Sequence, residues 1–140
     1  MKILLPVDGS DYTKRMLAHL GAYGELLGAG HEYVAFTALA AIPSHASRFV
    51  DQATLNDWYA EQAELVFKPI RAFAAQQDWN LRTAWHSGHA AEVIAEFAEL
   101  ERPDLIVMGT HGQSALANMV LGSVATGVLA RCKLPVLLLR

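Results

Sequence analysis

The 140-residue chain lacks the features that mark secreted, disordered or nucleic-acid-binding proteins. Its single cysteine, Cys132, cannot form an intrachain disulfide, so we expect a reducing compartment, the cytoplasm. Only 18% of the residues are charged and the formal net charge is −3, which argues against a basic nucleic-acid-binding surface. Because 53% of the residues are hydrophobic, a disordered chain is excluded. The length predicts one domain over residues 1–140.

Long apolar runs are also lacking. The first run ends at Asp8, so it is too short for the core of a signal peptide. Residues 113–130 carry no charge, but polar side chains and two glycines, Gly122 and Gly127, interrupt them. This stretch therefore predicts a loop and a buried helix, and no membrane insertion.

Short apolar runs alternate with segments of helical periodicity. Five runs predict buried strands, at residues 2–7, 33–39, 81–85, 105–108 and 134–139. Helical spacing joins four groups of apolar residues between them. These groups are Met16, Leu20, Tyr23 and Leu27; a long segment from about 51 to 77; Ala90, Val93, Ile94, Phe97 and Leu100; and Val120, Val124 and Val128. The alternation is typical of an α/β fold with a five-stranded parallel sheet and helices on both faces.

Two segments interrupt this pattern. Residues 40–50 contain Pro43, Ser44 and Ser47, which predicts a loop. Pro69 lies inside the long helical segment and cannot donate a hydrogen bond to the carbonyl of Leu65. We therefore expect a kink or a break there.

Ligands of open parallel sheets bind beyond the carboxyl ends of the strands, so the residues after each strand are candidates. Asp8 follows the first strand, residues 38–41 the second and residues 86–89 the third. Gly109 and Gly112 follow the fourth, and Gly122 precedes the last helix. Glycines permit positive φ and close approach of N–H groups to an anion, and a helix start adds unpaired donors. This segment predicts an anion site.

Known phosphate motifs do not fit this segment. Gly122 and Gly127 are five residues apart, but Val128 follows them where a P-loop has lysine. A phosphate site here would consist mainly of backbone donors and hydroxyl groups. The hydroxyl of Ser123 would either cap the helix or bind a phosphate.

Other polar side chains have plainer interpretations. Asp8 is equally suited to a turn, because Asp-Gly-Ser is a turn signal. His111 could donate to a phosphate through its backbone or its ring. His86 and His89 have no cysteine or carboxylate beside them, so we interpret them as solvated loop residues and predict no metal site. Cys132 is interpreted as a buried, inert thiol.

Together these residues resemble the universal stress protein family over the whole chain. The resemblance rests on Asp8, on the sequence DLIVMGTHG at residues 104–112, and on the GSV and LPV sequences near the end. Its most specific part is Gly-x2-Gly-x9-Gly-Ser, formed by Gly109, Gly112, Gly122 and Ser123. That spacing marks the ATP-binding branch of the family.

The resemblance implies a Rossmann-like fold, similar to adenine nucleotide alpha hydrolases, with strand order 3-2-1-4-5. A cleft between strands one and four would hold ATP, or AMP or ADP, with Mg²⁺ at the phosphates. Asp8 would bond adenine or ribose, Ala38 would contact adenine, and Gly112 and Ser123 would lie at the phosphates. The full set of nucleotide-binding residues it implies is Pro6, Val7, Asp8, Ala38, Met108, Gly109, Gly112, Gly122, Ser123 and Val124.

The resemblance also implies a regulatory role in stress response. Binding would order the loop between Gly112 and Gly122 and change the surface shown to an unidentified protein partner. Two chains would pair as a homodimer through the last strand, at Val136, Leu137, Leu138 and Leu139. The alternatives are a slow ATP hydrolase, for which we see no catalytic residues, and a nucleotide-free dimeric interaction module.

The chain departs from the family where many members carry arginine after the loop histidine. Gln113 stands there, and no cation follows before Arg131. Phosphate binding is then expected to be weaker, more dependent on a metal ion, or better for AMP than for ATP. Ala90 also stands where many members have proline.

Overall fold

The computed structural model describes residues 1–113 and 118–140. Five strands and six helices alternate along these residues. In chain order they are β1 (Lys2–Pro6), α1 (Asp11–Ala22), α2 (Gly24–Leu27), β2 (Glu32–Leu39), α3 (Ser44–Ser47), α4 (Gln52–Gln76), β3 (Asn80–Ser87), α5 (Ala90–Glu101), β4 (Leu105–Gly109), α6 (Ser123–Arg131) and β5 (Val136–Leu139).

The five strands form one parallel sheet in the order β3-β2-β1-β4-β5. In the middle of the sheet, Leu4 of β1 lies opposite Val34 of β2 and Ile106 of β4. The chain builds outward from β1 to β3 and then crosses over to β4. The predicted fold class and strand order are thus confirmed, and the order reverses between β1 and β4.

Alternate residues of β1 point to opposite faces of the sheet, where each face has its own core. Ile3 and Leu5 belong to the first core cluster, which includes Phe67 and Ile70 of α4. Leu4 belongs to the second core cluster. The second cluster also includes Phe36, Ile94, Ile106 and Val128, so α5 and α6 cover that face. Full burial of each such side chain stabilises the fold by about 1.5–3 kcal/mol.

The first predicted helix is divided in two. Its last turn breaks at Tyr23, whose φ of −98° and ψ of 39° leave the helical region, and α2 begins at Gly24. Tyr23 is 59% exposed, so placing it on the buried face was wrong. Met16 and Leu20 are buried as predicted.

Four other features differ from expectation. Val120 precedes α6 and is 79% exposed, and Leu100 is 83% exposed. On α5 a stripe of smaller residues is buried instead, made of Ala91, Ile94, Ala95 and Ala98. The last strand begins at residue 136 instead of 134, and the short helix α3 lies within the predicted loop 40–50.

Helix α4 continues through Pro69, so of the expected kink or break the break does not occur. Pro69 and Leu65 both lie on the exposed side of the helix. Water can therefore satisfy the carbonyl oxygen of Leu65 that the proline ring leaves without a donor.

Candidate functional site

A cavity of about 1110 Å³ lies at the carboxyl edge of the sheet, where β1 and β4 meet the starts of α5 and α6. Every residue that the sequence assigned to the nucleotide lines it. These are Pro6, Val7, Asp8, Ala38, Met108, Gly109, Gly112, Gly122, Ser123 and Val124. The structure thus brings the predicted residues together, and their role in binding stays a prediction.

The cavity also has a wall on α5 that sequence reasoning missed, made of Ala90, Ala91 and Ile94. Ala40 and Ala41, which are among the candidates after β2, line the cavity as well. Small apolar side chains carry no motif, so only their position after strand ends could have indicated them. Gly88, with φ of +146°, makes the turn from β3 that brings α5 to this wall.

Asp8 organises the end of β1. Its Oδ1 accepts hydrogen bonds from the backbone N–H of Ser10 at 2.9 Å and from the hydroxyl of Thr13 at 3.0 Å. That hydroxyl also accepts from the backbone N–H of Asp8 at 3.2 Å. The turn interpretation of Asp8 is therefore correct, and it does not exclude ligand contact because the residue also lines the cavity.

A second set of bonds joins Asp8 to Gln113, 105 positions away in the chain. The backbone N–H of Gln113 donates to Oδ2 of Asp8 at 3.0 Å, and its side-chain amide donates to the backbone oxygen of Asp8 at 2.8 Å. We call this pair of bonds the Asp8–Gln113 latch. It ties the segment after β4 to the end of β1.

The glycines of the predicted motif serve close approach, not positive φ. Among the described residues, only Gly9 and Gly88 are glycines with positive φ. A Cβ on Gly112 would lie 2.5 Å from Oδ2 of Asp8, and one on Gly122 would lie 3.0 Å from the carbonyl oxygen of Thr110. Larger residues at these positions would push apart the two sides of the cavity.

Helix α6 begins at the cavity. Gly122 occupies the N-cap position without a side-chain cap, so the expectation that Ser123 caps the helix was wrong. The N–H of Gly122 donates to Thr110 at 2.7 Å. The next three N–H groups, of Ser123, Val124 and Ala125, have no acceptor within a helix, and these residues line the cavity. The predicted backbone donors are in place.

The ring of His111 is held by the protein. Its Nε2–H donates to the carbonyl oxygen of Met119 at 2.6 Å, and its Nδ1 shares a hydrogen bond of 3.0 Å with the hydroxyl of Thr110. Its centroid lies 5.2 Å from that of the Tyr12 ring. His111 lines the cavity, but both ring nitrogens are occupied.

Positive charge is scarce around the cavity. Neither lysine nor arginine occurs among its lining residues in the described ranges. Lys14 pairs instead with Asp11 at 3.2 Å, and the guanidinium of Arg15 lies 5.5 Å from the centroid of the Tyr12 ring. Asp8 contributes the one carboxylate of the described lining.

The clear pKa shifts occur at residues that do not line the cavity. Burial raises the pKa of Tyr33 to about 12, and its hydroxyl donates to backbone oxygens of Leu27 and Gly28. The hydrogen bond from Arg82 lowers the pKa of Glu101. These groups are structural.

Other candidate sites gained no support. His86 and His89 are both exposed, and within residues 1–113 and 118–140 no three potential ligands cluster for a metal ion. Cys132 is buried, as expected. None of the helices in the described part of the chain is both long and apolar enough to cross a membrane.

Strand β5 is an edge of the sheet and pairs with β4. Its four residues are apolar, and Leu137 is 36% exposed. The carbonyl oxygen of Pro135 accepts from the N–H of Ile106 in β4, and that of Leu139 accepts from the N–H of Thr110, the residue after β4. Because main-chain direction alternates along a strand, the N–H of Leu138 points away from β4.

Comparison with known proteins gives a consistent result. The model of the universal stress protein family matches residues 1–140. A universal stress protein of Thermus aquaticus is 35% identical over 99% of this chain and 97% of its own. One from Methanocaldococcus jannaschii is 30% identical, over 99% of this chain and 81% of its own.

Solved structures share the fold. Universal stress protein UspA from Lactobacillus plantarum superposes with a TM-score of 0.81 at 23% identity, covering 100% of this chain and 97% of that one. A universal stress protein in complex with cAMP gives 0.73 at 21% identity, with 100% and 97% coverage. A family protein from Arabidopsis thaliana with AMP bound gives 0.70 at 13% identity, with 99% and 90% coverage.

Proposed function

The chain belongs to the universal stress protein family, and from this premise we propose that it is a regulatory module that binds an adenine nucleotide. The observation that carries the proposal is the cavity where β1 and β4 meet the start of α6. A switch point of this kind is where open α/β sheets bind ligands. Related folds have been solved with AMP and with cAMP, which supports the same ligand class here.

The adenosine half fits the apolar part of the cavity. Ala38, Ala40 and Ala41 after β2 are small enough to leave space for a flat purine ring. An ionised carboxylate has about four acceptor positions. Protein donors use two on Oδ1 of Asp8 and one on Oδ2, so Oδ2 has a position left for a ribose hydroxyl.

The phosphate half fits the start of α6. Backbone N–H groups at a helix start attract an anion through their hydrogen bonds and through the helix dipole. The hydroxyl of Ser123, which does not cap the helix, adds a further group. Mg²⁺ would bind through the phosphates, since the one carboxylate of the described lining, that of Asp8, is held by three protein donors.

Binding is favoured over hydrolysis as the function. Phosphoryl transfer needs positioned water and cations that stabilise charge on the transferred group. The described lining provides no lysine or arginine, and the chain has none at residues 113–130. We propose instead that the bound nucleotide changes the segment between Gly112 and Gly122, and that a partner protein recognises this change. Part of that segment, residues 114–117, lies outside the described residues.

The proposal can be tested with Asp8→Ala. We expect calorimetric titration to show that the wild type binds AMP or ATP and that the variant loses about tenfold or more in affinity, since a ribose acceptor and the latch are both lost. Asp104→Ala is the matched control, because Asp104 accepts a backbone N–H of Lys2 at the opposite edge of the sheet. Absence of binding by the wild type at millimolar nucleotide with Mg²⁺ would favour the nucleotide-free interaction module.

We also propose that two copies pair through β5, residues Val136, Leu137, Leu138 and Leu139. An unpaired apolar edge strand otherwise invites aggregation. Leu138→Pro removes the outward N–H, whereas Leu138→Ala loses the side chain and keeps the N–H. Light scattering should show monomers for the proline variant and dimers for the alanine variant. Equal masses for the two would contradict pairing through this edge.

Two further assignments complete the proposal. The chain acts as one domain over residues 1–140. The buried, unpaired thiol of Cys132 supports a reducing compartment, the cytoplasm.

A further inference from the structure

The number of phosphates that the cleft can hold depends on its charge. In the described lining Asp8 contributes a carboxylate, and no lysine or arginine offsets it. The rest of the segment between Gly112 and α6 cannot supply a cation either, since residues 113–130 contain none in the sequence. Any phosphate here is therefore bound without a charged partner from this segment.

Gln113 occupies the position from which a basic side chain could reach the ligand. Its side-chain amide donates to the backbone oxygen of Asp8 at 2.8 Å instead. Its backbone N–H is also used, because it donates to Oδ2 of Asp8 at 3.0 Å. The backbone N–H of Gln113 and one of the two N–H groups of its side-chain amide are therefore engaged by Asp8 while the latch is closed.

The ring of His111 does not take the place of a basic side chain at the phosphates. Its Nε2–H donates to the carbonyl oxygen of Met119 at 2.6 Å, and its Nδ1 shares a hydrogen bond of 3.0 Å with the hydroxyl of the buried residue Thr110. Both ring nitrogens are therefore bonded to the protein, and neither is free to bind a phosphate.

The anion-binding groups beside Gly122 are the first N–H groups of α6 and the hydroxyl of Ser123, and the start of α5 at Ala90 also lines the cavity. A helix start carries roughly half a positive charge, far less than a full cation supplies. Each further phosphate adds negative charge to the cleft and gains no lysine or arginine from the described lining.

We infer that the cleft selects an adenine nucleotide with a single phosphate over ATP, and that the absence of a cationic side chain at position 113 sets this selectivity. The inference rests on the proposed function and specifies its ligand. Mg²⁺ should reduce the difference in affinity between AMP and ATP, because the metal ion neutralises part of the triphosphate charge.

The test is titration of the full chain with adenosine, AMP and ATP by calorimetry, in EDTA and in Mg²⁺. In EDTA we expect AMP to bind about tenfold or more tightly than ATP. Gln113→Arg should raise the affinity for ATP more than that for AMP. The guanidinium introduced by Gln113→Arg could pair with Asp8 and not with the phosphates, so a second cationic variant is needed. Met119→Lys adds an ammonium group at another lining position and should likewise raise the affinity for ATP more than that for AMP.

Two controls separate charge from other effects. Gln113→Ala removes the side-chain half of the latch without adding charge, and it should leave the ratio of the two affinities unchanged. Gln76→Arg adds the same charge at the end of α4, away from the cavity lining, and should also leave it unchanged.

The outcomes distinguish the two proposals. If the wild type binds ATP in EDTA as tightly as AMP, or if neither cationic variant changes the ratio, the inference is wrong while nucleotide binding stands. If adenosine, AMP and ATP all fail to bind, the proposed function is wrong as well.

Discussion

The two edges of the sheet satisfy their polar groups in different ways. At the amino edge, Asp104 accepts the backbone N–H of Lys2 at 2.7 Å, and Glu101 pairs with Arg82 at 2.6 Å and with Lys2 at 3.5 Å. At the carboxyl edge, the described cavity lining has no lysine or arginine, and backbone groups and a carboxylate face the space. Charged side chains thus neutralise one another at the amino edge, whereas no such pair occurs within the described cavity lining at the carboxyl edge.

This difference assigns the two edges of the sheet different roles, stability at the amino edge and ligand binding at the carboxyl edge. Groups at the amino edge are paired with each other and need no ligand. At the carboxyl edge, the N–H groups at the start of α6 lack partners within the helix, beside a cavity of about 1110 Å³. Changes at the carboxyl edge should therefore alter ligand affinity, whereas changes at the amino edge should alter stability alone.

The largest effect is expected from Gly122→Val. A Cβ at this position would lie 3.0 Å from the carbonyl oxygen of Thr110 and 3.3 Å from Cα of His111, and valine adds two methyl groups. The start of α6 must then shift from the cavity, so we expect AMP affinity to fall about a hundredfold or more. Calorimetric titration measures the loss, and circular dichroism checks that the fold is retained.

Gly30→Val is the matched control for this change, because nothing lies within 4 Å of a Cβ at that position. It should bind AMP like the wild type. Retained affinity in the Gly122→Val variant would show that close approach at this position is not required for the ligand.

The sequence predicted the order of elements and part of the cavity lining, including Asp8 and Gly109, for a simple physical reason. Strand ends are visible as breaks in apolar runs, and in a parallel sheet their carboxyl ends all meet at one edge. The assignment of Pro6, Val7, Met108 and Val124 came from the family resemblance alone.

The sequence could not predict the Asp8–Gln113 latch, since a contact across 105 positions depends on how a loop closes. It also misplaced Leu100, because a helix packed closely against a neighbour buries alanines; a Cβ on Gly127 would lie 2.5 Å from that of Ala91.

A smaller effect is expected from Glu101→Gln at the amino edge. The hydrogen bond from Arg82, helped by Lys2, lowers the pKa of Glu101 below its ordinary value of 4.5. Because the pKa is lower in the folded state, this stabilisation is complete above the unfolded value and is lost as the pH falls through the folded one. The side chains of Arg82 and Glu101 are 46% and 21% exposed, so we expect a loss of only about 0.5–1 kcal/mol at pH 7.

Urea unfolding at pH 7 and at pH 3 measures this contribution. The wild type should lose more stability between the two pH values than the variant, and AMP affinity at pH 7 should be the same for both. An equal loss of stability in the two proteins would show that Glu101 does not contribute to acid sensitivity. A change in AMP affinity would show that the amino edge also influences ligand binding.

The smallest effect is expected from Lys14→Gln, which removes a cation near the carboxyl edge but outside the cavity lining. Lys14 pairs with Asp11 on α1, and their side chains are 72% and 81% exposed. An exposed pair of this kind contributes at most about 0.5 kcal/mol and is weakened by salt. If the cavity binds its anion through backbone groups, affinities for AMP and ATP should both stay within about twofold of the wild type. A tenfold loss for ATP alone would mean that the triphosphate reaches α1 and draws on Lys14, and the carboxyl edge would then depend on charged side chains as the amino edge does.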